Sequence, residues 1–189
     1  MRNKIPKLGV IVPYRNRSSH LQIFKTRVSR YLEYQEIPHE IIIVNQDDGK
    51  LFNRGMLLNI GFRYAEELEC DYVVFHDVDM IPEDVDYSYS DVPLHLSTNL
   101  IDRKTREKSK EVFPTYFGGV TMFDMDTFKK INGYSNKYWG WGFEDDDLLL
   151  RCKINGIELD TLKLPNFKIN GTKLKLNGND AYIKGRKIG

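Results

Sequence analysis

Two aspartates directly follow a short apolar run near the middle of the chain. Asp77 and Asp79, in the segment HDVDMIP, come after residues 72–75, which have the composition of a buried strand. Open α/β sheets bind ligands outside the carboxyl ends of their parallel strands, and carboxylate oxygens there suit Mg²⁺ or Mn²⁺. The pattern predicts a divalent metal on a diphosphate, although an isolated Asp-x-Asp pair also occurs in solvated turns.

A second group of acidic residues follows two tryptophans. The segment YWGWGFEDDD, residues 138–147, places Trp139 and Trp141 among glycines and then four carboxylates at the start of a predicted helix. Flat aromatic surfaces on flexible backbone can stack on sugar rings. The helix dipole explains one or two acidic residues in a first turn. Four of them beside a Trp-Gly hinge favour a general base for a sugar hydroxyl under an aromatic lid.

Cations and amides follow the first two predicted strands. They are Arg15, Asn16, Arg17, Asn53 and Arg54. Guanidinium groups suit phosphate and carboxylate oxygens, so this cluster indicates a local phosphate site; the alternative is a solvated loop.

Overall charge and cysteine spacing limit the classes of protein to which the chain can belong. The chain has 28 basic and 27 acidic residues among 189, so no large field of one sign indicates nucleic acid or an anionic membrane surface as a partner. No apolar run has the length of a membrane span or the features of a signal sequence. Cys70 and Cys152 fit no metal-binding spacing and are expected to be reduced and packed.

Alternating strands and helices in the first half position these residues. Apolar runs at 8–13, 40–46 and 72–75 predict three buried strands. Between them, the spacing of apolar residues predicts one helix capped by Ser18 or Ser19 and a second helix over about 52–69. Strands and helices in this order imply parallel βαβ units in a sheet covered on both faces.

The second half is less regular. Residues 84–111 are polar and predict a loop with one short strand near 94–96, and 116–123 predict a further strand. Asp124 is expected to cap a short helix that ends at Asn132 and Gly133. A last helix is predicted from Glu144 to about 155, and 157–165 alternate like a strand. Nothing indicates a domain boundary, so one domain over 1–189 is expected.

Five segments together resemble the β-1,4-galactosyltransferase family, glycosyltransferase family 7. In order they are VPYRNR, FNRGMLLNIGF, FHDVDMIP, YFGGVTMF and NGYSNKYWGWGFEDDDLLLR, so the resemblance runs from Val10 to Arg151, while 157–189 are less certain. It implies an α/β fold of the GT-A type, a Rossmann-like sandwich whose mostly parallel central sheet is flanked by helices. It also implies a single catalytic domain that transfers galactose, or N-acetylgalactosamine, from a UDP-sugar to a hydroxyl, O4 in that family, of an acceptor sugar, using Mn²⁺; Mg²⁺ also suits such a site.

By position, the resemblance implies three sets of site residues. The donor pocket would contain Pro13, Tyr14, Arg15, Arg17, Phe52, Arg54, Asp77, Val78 and Trp141. The acceptor side would contain Tyr116, Gly118, Gly119, Phe143 and Asp146. Asp79 would ligate the metal, Asp145 would be the catalytic base, and Glu144 would flank the transferred sugar.

The chemistry agrees with this assignment. A metal helped by Arg15 or Arg17 would neutralise charge on the departing UDP, while Asp145 removes the proton of the attacking hydroxyl. One displacement inverts the anomeric carbon. A retaining route would need a nucleophile beneath the sugar ring, and the sequence nominates none.

Three features depart from the family pattern. No histidine follows His95 and no methionine follows Met125, so the further metal ligands usual in the family are missing. Water or side chains of the tail, Asn177, Asn179 or Asp180, would complete the shell. His76 is expected to pack, or to contact a group that binds the metal, rather than to bind the metal itself. Phe143 stands where the family commonly has a small or polar residue, which favours a different or smaller acceptor. Little chain also remains after the last helix to form an acceptor wall.

Two other classes compete with the transferase hypothesis. One is a non-catalytic nucleotide-sugar or glycan-binding module, supported by the missing histidine. The other is a metal-dependent phosphohydrolase, which leaves the Trp-Gly segment unexplained. We expect a cytoplasmic location for a complete chain, whereas a catalytic fragment of Golgi-lumen type would look the same; the expected partners are a nucleotide-sugar donor and a saccharide acceptor, and no feature predicts an oligomeric state.

Overall fold

Five strands and four helices account for the regular structure in a computed structural model that describes residues 4–98, 100–102, 104, 105, 107 and 116–159. The strands are β1 Leu8–Tyr14, β2 His39–Asn45, β3 Tyr72–His76, β4 Leu94–His95 and β5 Val120–Asp124. The helices are α1 Ser18–Tyr34, α2 Arg54–Glu67, α3 Met125–Lys130 and α4 Glu144–Ile154. No helix in the described part of the chain is long and apolar enough to cross a membrane.

The strands form one sheet in the order β2-β1-β3-β5-β4. β1 is parallel to both β2 and β3, as the alternating strands and helices predict. β5 runs antiparallel to β3, and β4 runs antiparallel to β5. The sheet is therefore mixed but mostly parallel, with β5 as the reversed strand, and the α/β prediction is confirmed.

Both faces of the central strands are buried, which explains their continuous apolar sequences. On one face, Val10 and Val12 of β1 pack with Phe24 and Val28 of α1. On the other face, β1 and β3 pack against α2, α3 and α4, and Phe75 of β3 lies in an aromatic cluster with the residues Phe123, Phe128 and Tyr134. Alternate residues of one strand therefore serve two different cores.

Three local predictions are wrong. β2 is not a buried strand: only Ile42 is buried, because the strand has a neighbour on one side only. The run 116–123 does not form a continuous strand, because a turn at Gly118 and Gly119 delays β5 to Val120. Neither serine caps α1, whose N-cap is Arg17, without a side-chain hydrogen bond.

Other local predictions are confirmed. Asp124 caps α3 by accepting a hydrogen bond from the Thr127 N–H at 2.9 Å, and the chain leaves α3 through Asn132 and Gly133, both with positive φ. Cys70 and Cys152 are free and buried. Of the predicted strand at 157–165, residues 157–159 are not in a strand and the rest lie outside the described residues, as do Asn177, Asn179 and Asp180.

Candidate active site

Three helix N-termini and the ends of two parallel strands surround one cleft. β1 ends at Tyr14 and leads to Arg17, the N-cap of α1, while β3 ends just before Asp77. α2 begins at Arg54 and α4 at Glu144. Parallel strands deliver their carboxyl ends to the same edge, so residues distant in sequence meet there.

Arg54 is the centre of a partly buried ion-pair network. Its Nε donates to Oδ1 of Asp77 at 2.8 Å, and its Nη1 lies 3.6 Å from Oε1 of Glu144. The side chain is 12% exposed, and its guanidinium lies 5.9 Å from the ring centroid of Tyr134. Among the described residues, Nη1 and Nη2 have no hydrogen-bond acceptor. They are therefore suited to donate to ligand oxygens.

The carboxyl groups around Arg54 have perturbed acidity. Burial raises the pKa of Asp77, although the positive charge and hydrogen bond of Arg54 oppose the rise. Burial and the nearby charge of Asp145 raise the pKa of Glu144 to about 7, again opposed by Arg54. Glu144 therefore keeps its proton to higher pH than an ordinary glutamate, and in its protonated form it can donate a hydrogen bond.

Asp79 and Arg17 form a more exposed pair at the edge of the cleft. Nη1 of Arg17 lies 2.8 Å from Oδ2 of Asp79, with about half of each side chain exposed. Among the described residues no group of three His, Cys, Asp or Glu side chains could hold a metal. A single carboxylate still fits a diphosphate-bound Mg²⁺ or Mn²⁺, because substrate phosphates and water commonly supply the other oxygens. Asp79 is thus a suitable ligand, but not a complete metal site.

Tyr116 lies near both the aspartates that follow β3 and Asp145 of α4. Burial and the nearby charges of Asp77 and Asp145 raise the pKa of its hydroxyl to about 12, and Asp79 contributes in the same direction. A Cβ added at Gly118 would overlap Oδ2 of Asp145. Asp79 and Asp145 therefore face a common region around Tyr116.

The loop before α2 is tied to the segment before α4. The guanidinium of Arg15 lies 5.3 Å from the ring centroid of Phe52, and its Nη1 donates to the carbonyl oxygen of Lys50 at 2.6 Å. Nζ of Lys50 lies 5.5 Å from the ring centroid of Trp139. The Gly140 N–H donates to the carbonyl oxygen of Phe52 at 2.8 Å. The Trp-Gly segment is thus adjacent to the predicted donor pocket.

The backbone immediately before α4 is unusual. Gly140 and Gly142 have φ values of 94° and 97°, and Phe143 has φ 74°. Phe143 is the N-cap of α4, lies in the left-handed region and makes no side-chain cap hydrogen bond. A non-glycine residue there costs roughly 1–3 kcal/mol and is enriched at functional sites. Strain is therefore stored next to Glu144 and Asp145.

The other predicted site residues lie around the cleft with different exposures. Pro13 and Val78 are buried, and Tyr14 packs partly against the α1 core. Asp146 is exposed, and Trp141 is 98% exposed. The structure thus brings Arg54, Asp77 and Glu144 together, and Asp145 with Gly118, but it leaves the Trp141 ring in solvent.

Histidine has two structural roles near the cleft. His76 is fully buried, its Nε2 lies 2.9 Å from the Tyr87 hydroxyl, and burial lowers its pKa to about 4. His76 thus packs inside the fold, and its Nδ1 lies 3.0 Å from the carbonyl oxygen of Asp77. His95 and Ser97, which sequence reasoning missed, contact the turn at Gly118. No motif pointed to them, because they lie in a polar stretch without periodicity.

The fold is a mixed sheet flanked by helices, with acidic residues at the ends of its strands and helices. It is a domain of the GT-A glycosyltransferase type. A family model described as the N-terminal region of glycosyl transferase group 7 matches residues 3–91. A second, described as the N-terminal domain of galactosyltransferase, matches residues 103–173. The chain belongs to glycosyltransferase family 7, the β-1,4-galactosyltransferase family, and the resemblance seen in the sequence is confirmed.

Individual relatives agree with this assignment. Xylosylprotein 4-beta-galactosyltransferase of Caenorhabditis elegans is 40% identical over 181 residues, which cover 96% of this chain and 60% of the relative. Human beta-1,4-galactosyltransferase 4 is 39% identical over 158 residues, covering 82% of this chain and 45% of the relative. The chain therefore spans about half to three fifths of the length of these curated relatives.

Solved structures show the same similarity. The catalytic domain of Drosophila beta-1,4-galactosyltransferase 7, in complex with xylobiose, matches with a TM-score of 0.73 and 33% identity, covering 87% of this chain and 67% of that chain. A mutant of the Drosophila protein in complex with manganese, UDP-Gal and xylobiose matches with the same TM-score and coverage at 32% identity. These similarities confirm the GT-A fold.

Proposed function

We propose that this chain transfers galactose from UDP-galactose to the 4-hydroxyl of a saccharide acceptor, with inversion and with a divalent metal on the diphosphate. The observation that carries the proposal is the cleft in which Arg54 pairs with Asp77 and Glu144, while Asp145 packs against Gly118. UDP-N-acetylgalactosamine is the alternative donor. Relatives named as galactosyltransferases, one of them in complex with manganese and UDP-Gal, support the choice of donor and metal.

The donor would lie across the amino ends of α1 and α2. Arg15 and Arg17 stand where two guanidinium groups can bind phosphate oxygens. The pair between Arg17 and Asp79 is half-exposed, and such pairs contribute little stability. Arg17 can therefore exchange this contact for a phosphate at small cost.

The sugar end of the donor would meet the Arg54 network. Nη1 and Nη2 of Arg54, which lack acceptors among the described residues, can donate to sugar hydroxyl oxygens. The carboxylate of Asp77 can accept hydrogen bonds from sugar hydroxyl groups. Asp79 would hold the metal. When bound, Mn²⁺ or Mg²⁺ would offset negative charge on the UDP leaving group.

Asp145 is the proposed general base. Glu144 is less suited, because its carboxyl group is held beside Arg54, whose Nη1 lies 3.6 Å from Oε1 of Glu144, on the side proposed for the donor. Asp145 instead faces the turn at Gly118 and the Tyr116 ring, on the side assigned to the acceptor. It would remove the proton of the acceptor hydroxyl as that oxygen attacks the anomeric carbon from the face opposite UDP.

We further propose a terminal xylose as the acceptor. Two relatives support this choice by name: the nematode protein is a xylosylprotein transferase, and the Drosophila structures contain xylobiose. A half-buried phenylalanine at position 143, beside the proposed base, also agrees with a compact acceptor.

A donor and acceptor screen tests the proposal. The purified chain is incubated with UDP-galactose, UDP-N-acetylgalactosamine or UDP-glucose, with a β-xyloside or a β-N-acetylglucosaminide, and with or without Mn²⁺. The expected product is a β-1,4-linked galactosyl xyloside, identified by mass and linkage analysis, with turnover lost on chelation. No product with any pair, despite saturable UDP binding, would contradict it.

That contradictory result would favour the second candidate, a nucleotide-sugar-binding module. One observation supports this candidate: the described residues contain no group of three His, Cys, Asp or Glu side chains that could hold a metal ion.

A further inference from the structure

Two buried polar residues beside the cleft have no role in the proposed binding of donor or acceptor. His95, in β4, is 3% exposed, and Ser97 is 7% exposed. Nε2 of His95 and Oγ of Ser97 each lie 2.9 Å from the carbonyl oxygen of Gly118. Oγ of Ser97 and Nε2 of His95 also lie 2.9 Å from each other. Because a carbonyl oxygen can only accept, the Ser97 hydroxyl donates to it, and His95 donates to it in the tautomer that carries the proton on Nε2. These two contacts hold the peptide group between Gly118 and Gly119, on the proposed acceptor side, in one position.

The peptide belongs to a tight turn that needs such support. Gly119 has φ +71°, and the Val120 N–H donates to the carbonyl oxygen of Gly118 at 2.9 Å. A three-residue turn with positive φ at its centre is rare and strained, and strained backbone persists when its surroundings hold it. Oγ of Ser97 also accepts from the Val120 N–H at 3.1 Å. Ser97 therefore binds both ends of the turn.

The same turn contacts both sides of the proposed reaction centre. The carbonyl oxygen of Gly119 accepts a hydrogen bond from the Asp77 N–H at 2.9 Å. On its other side, a Cβ at Gly118 would overlap Oδ2 of Asp145 and lie 2.8 Å from Cε2 of Tyr116. The turn thus lies between the donor-side carboxylate and the proposed base.

We propose that His95 and Ser97 are positioning residues for sugar transfer, which fix the turn at Gly118 and Gly119 and so hold Asp77 and Asp145 at the separation that the reaction requires. This inference rests on the proposed function. Neither residue contacts a reacting atom in this scheme; both act through the backbone. Displacement of a reacting group by about 1 Å can reduce a rate about 10²-fold, so their removal affects turnover more than binding.

Three variants and one control test the role. Ser97→Ala and His95→Leu each remove a donor to the Gly118 carbonyl, whereas His95→Gln retains an N–H at a similar reach. Tyr72→Phe is the control, because it removes a buried hydroxyl bonded at 2.8 Å to the Tyr87 carbonyl, away from the turn. We expect kcat to fall roughly 10–100-fold in Ser97→Ala and His95→Leu, with the Kd for UDP changed less than about 3-fold. His95→Gln should recover most of kcat, and Tyr72→Phe should leave kcat unchanged.

Amide hydrogen exchange supplies a readout that needs no turnover. Loss of the contacts that His95 and Ser97 make with the turn should accelerate amide exchange at Asp77 and Val120. The Asp77 N–H bonds to the turn, and the Val120 N–H bonds to Ser97. The control should not show this change. Exchange rates at both amides that match the control would overturn the proposal, and so would a kcat that falls only in step with the melting temperature. A wild-type protein without transferase activity would contradict the proposed function. In that case the amide exchange rates would still show whether His95 and Ser97 hold the turn at Gly118 and Gly119.

Discussion

α2 and α4 both direct their amino ends at the cleft, but they begin in opposite ways. At α2, the buried Asn53 accepts from the Met56 N–H at 2.9 Å and donates to the carbonyl oxygen of Asn136 at 2.7 Å. At α4, Phe143 occupies a left-handed conformation and makes no side-chain cap hydrogen bond. The amino end of α2, on the proposed donor side, is thus held by well-formed hydrogen bonds, whereas the amino end of α4, with the proposed base, has strained backbone.

This difference has a physical meaning for the proposed reaction. A rigid amino end keeps Arg54 beside Asp77 before any ligand arrives, whereas glycines with positive φ at 140 and 142 let the Trp-Gly segment change conformation at low cost. We infer that the part of the donor pocket around Arg54 is preformed, whereas the Trp-Gly segment, which carries the proposed donor-pocket residue Trp141, can rearrange when ligands bind.

Replacing Asp145 by Asn should have the largest effect. An amide cannot take the proton of the acceptor hydroxyl, so turnover should fall by about 10²–10⁴. UDP affinity should stay within a few-fold, as titration calorimetry would measure. Asp126→Asn, in the first turn of α3, is the matched control. Turnover of the Asp145 variant close to that of this control would assign the base to another residue.

Breaking the Arg54 network should destabilise the protein. Arg54→Gln leaves Asp77 and Glu144 without their shared cation, and removal of one partner from a buried pair costs about 3–5 kcal/mol. Partial exposure reduces this to about 2–4 kcal/mol of unfolding free energy, measured by chemical denaturation. Arg17→Gln breaks an exposed pair and should cost less than about 1 kcal/mol. Equal losses of unfolding free energy in the two variants would show that the partly buried Arg54 network stabilises the protein no more than the exposed pair of Arg17 and Asp79.

The acidity of Glu144 predicts how stability changes with pH. Its pKa is raised from 4.5 to about 7 in the folded protein, so the folded state binds more protons than the unfolded state between these values. The stabilising contribution is complete below about pH 4.5 and is lost as pH rises through about 7. Glu144→Gln should remove this loss, on the order of 1–3 kcal/mol, as denaturation at pH 5 and pH 8 would detect. An identical pH dependence of the unfolding free energy in the wild-type protein and in Glu144→Gln would contradict a raised pKa of Glu144.

Two substitutions at the helix starts should change stability in opposite directions. Asn53→Ala removes the α2 cap and should lower the free energy of unfolding by about 1 kcal/mol. Phe143→Gly relieves a positive φ and should raise it by up to about 1 kcal/mol. Thermal denaturation of both variants provides the measurement. A destabilising Phe143→Gly would mean that packing of the ring outweighs the strain of the backbone.

Much of the regular first half could be predicted from sequence, because local patterns determine it. Apolar runs located β1, β2 and β3, and apolar spacing located α1 and α2, each within a few residues of its bounds. The same patterns did not distinguish the edge strand β2 from a central strand, since three consecutive isoleucines look buried wherever they lie. They also missed the delayed start of β5, which depends on a turn at Gly118 and Gly119.

The residues able to do chemistry, and the strand and helix ends at which they lie, can be predicted from local sequence patterns. Periodicity and the βαβ order are local properties, so they can be read along the chain. The partners of these residues become known from the folded chain. Arg54 pairs with Asp77 and Glu144, and His95 and Ser97 bind the turn that packs against Asp145. Such contacts join residues far apart in sequence, and they depend on how the sheet and helices pack rather than on any local pattern.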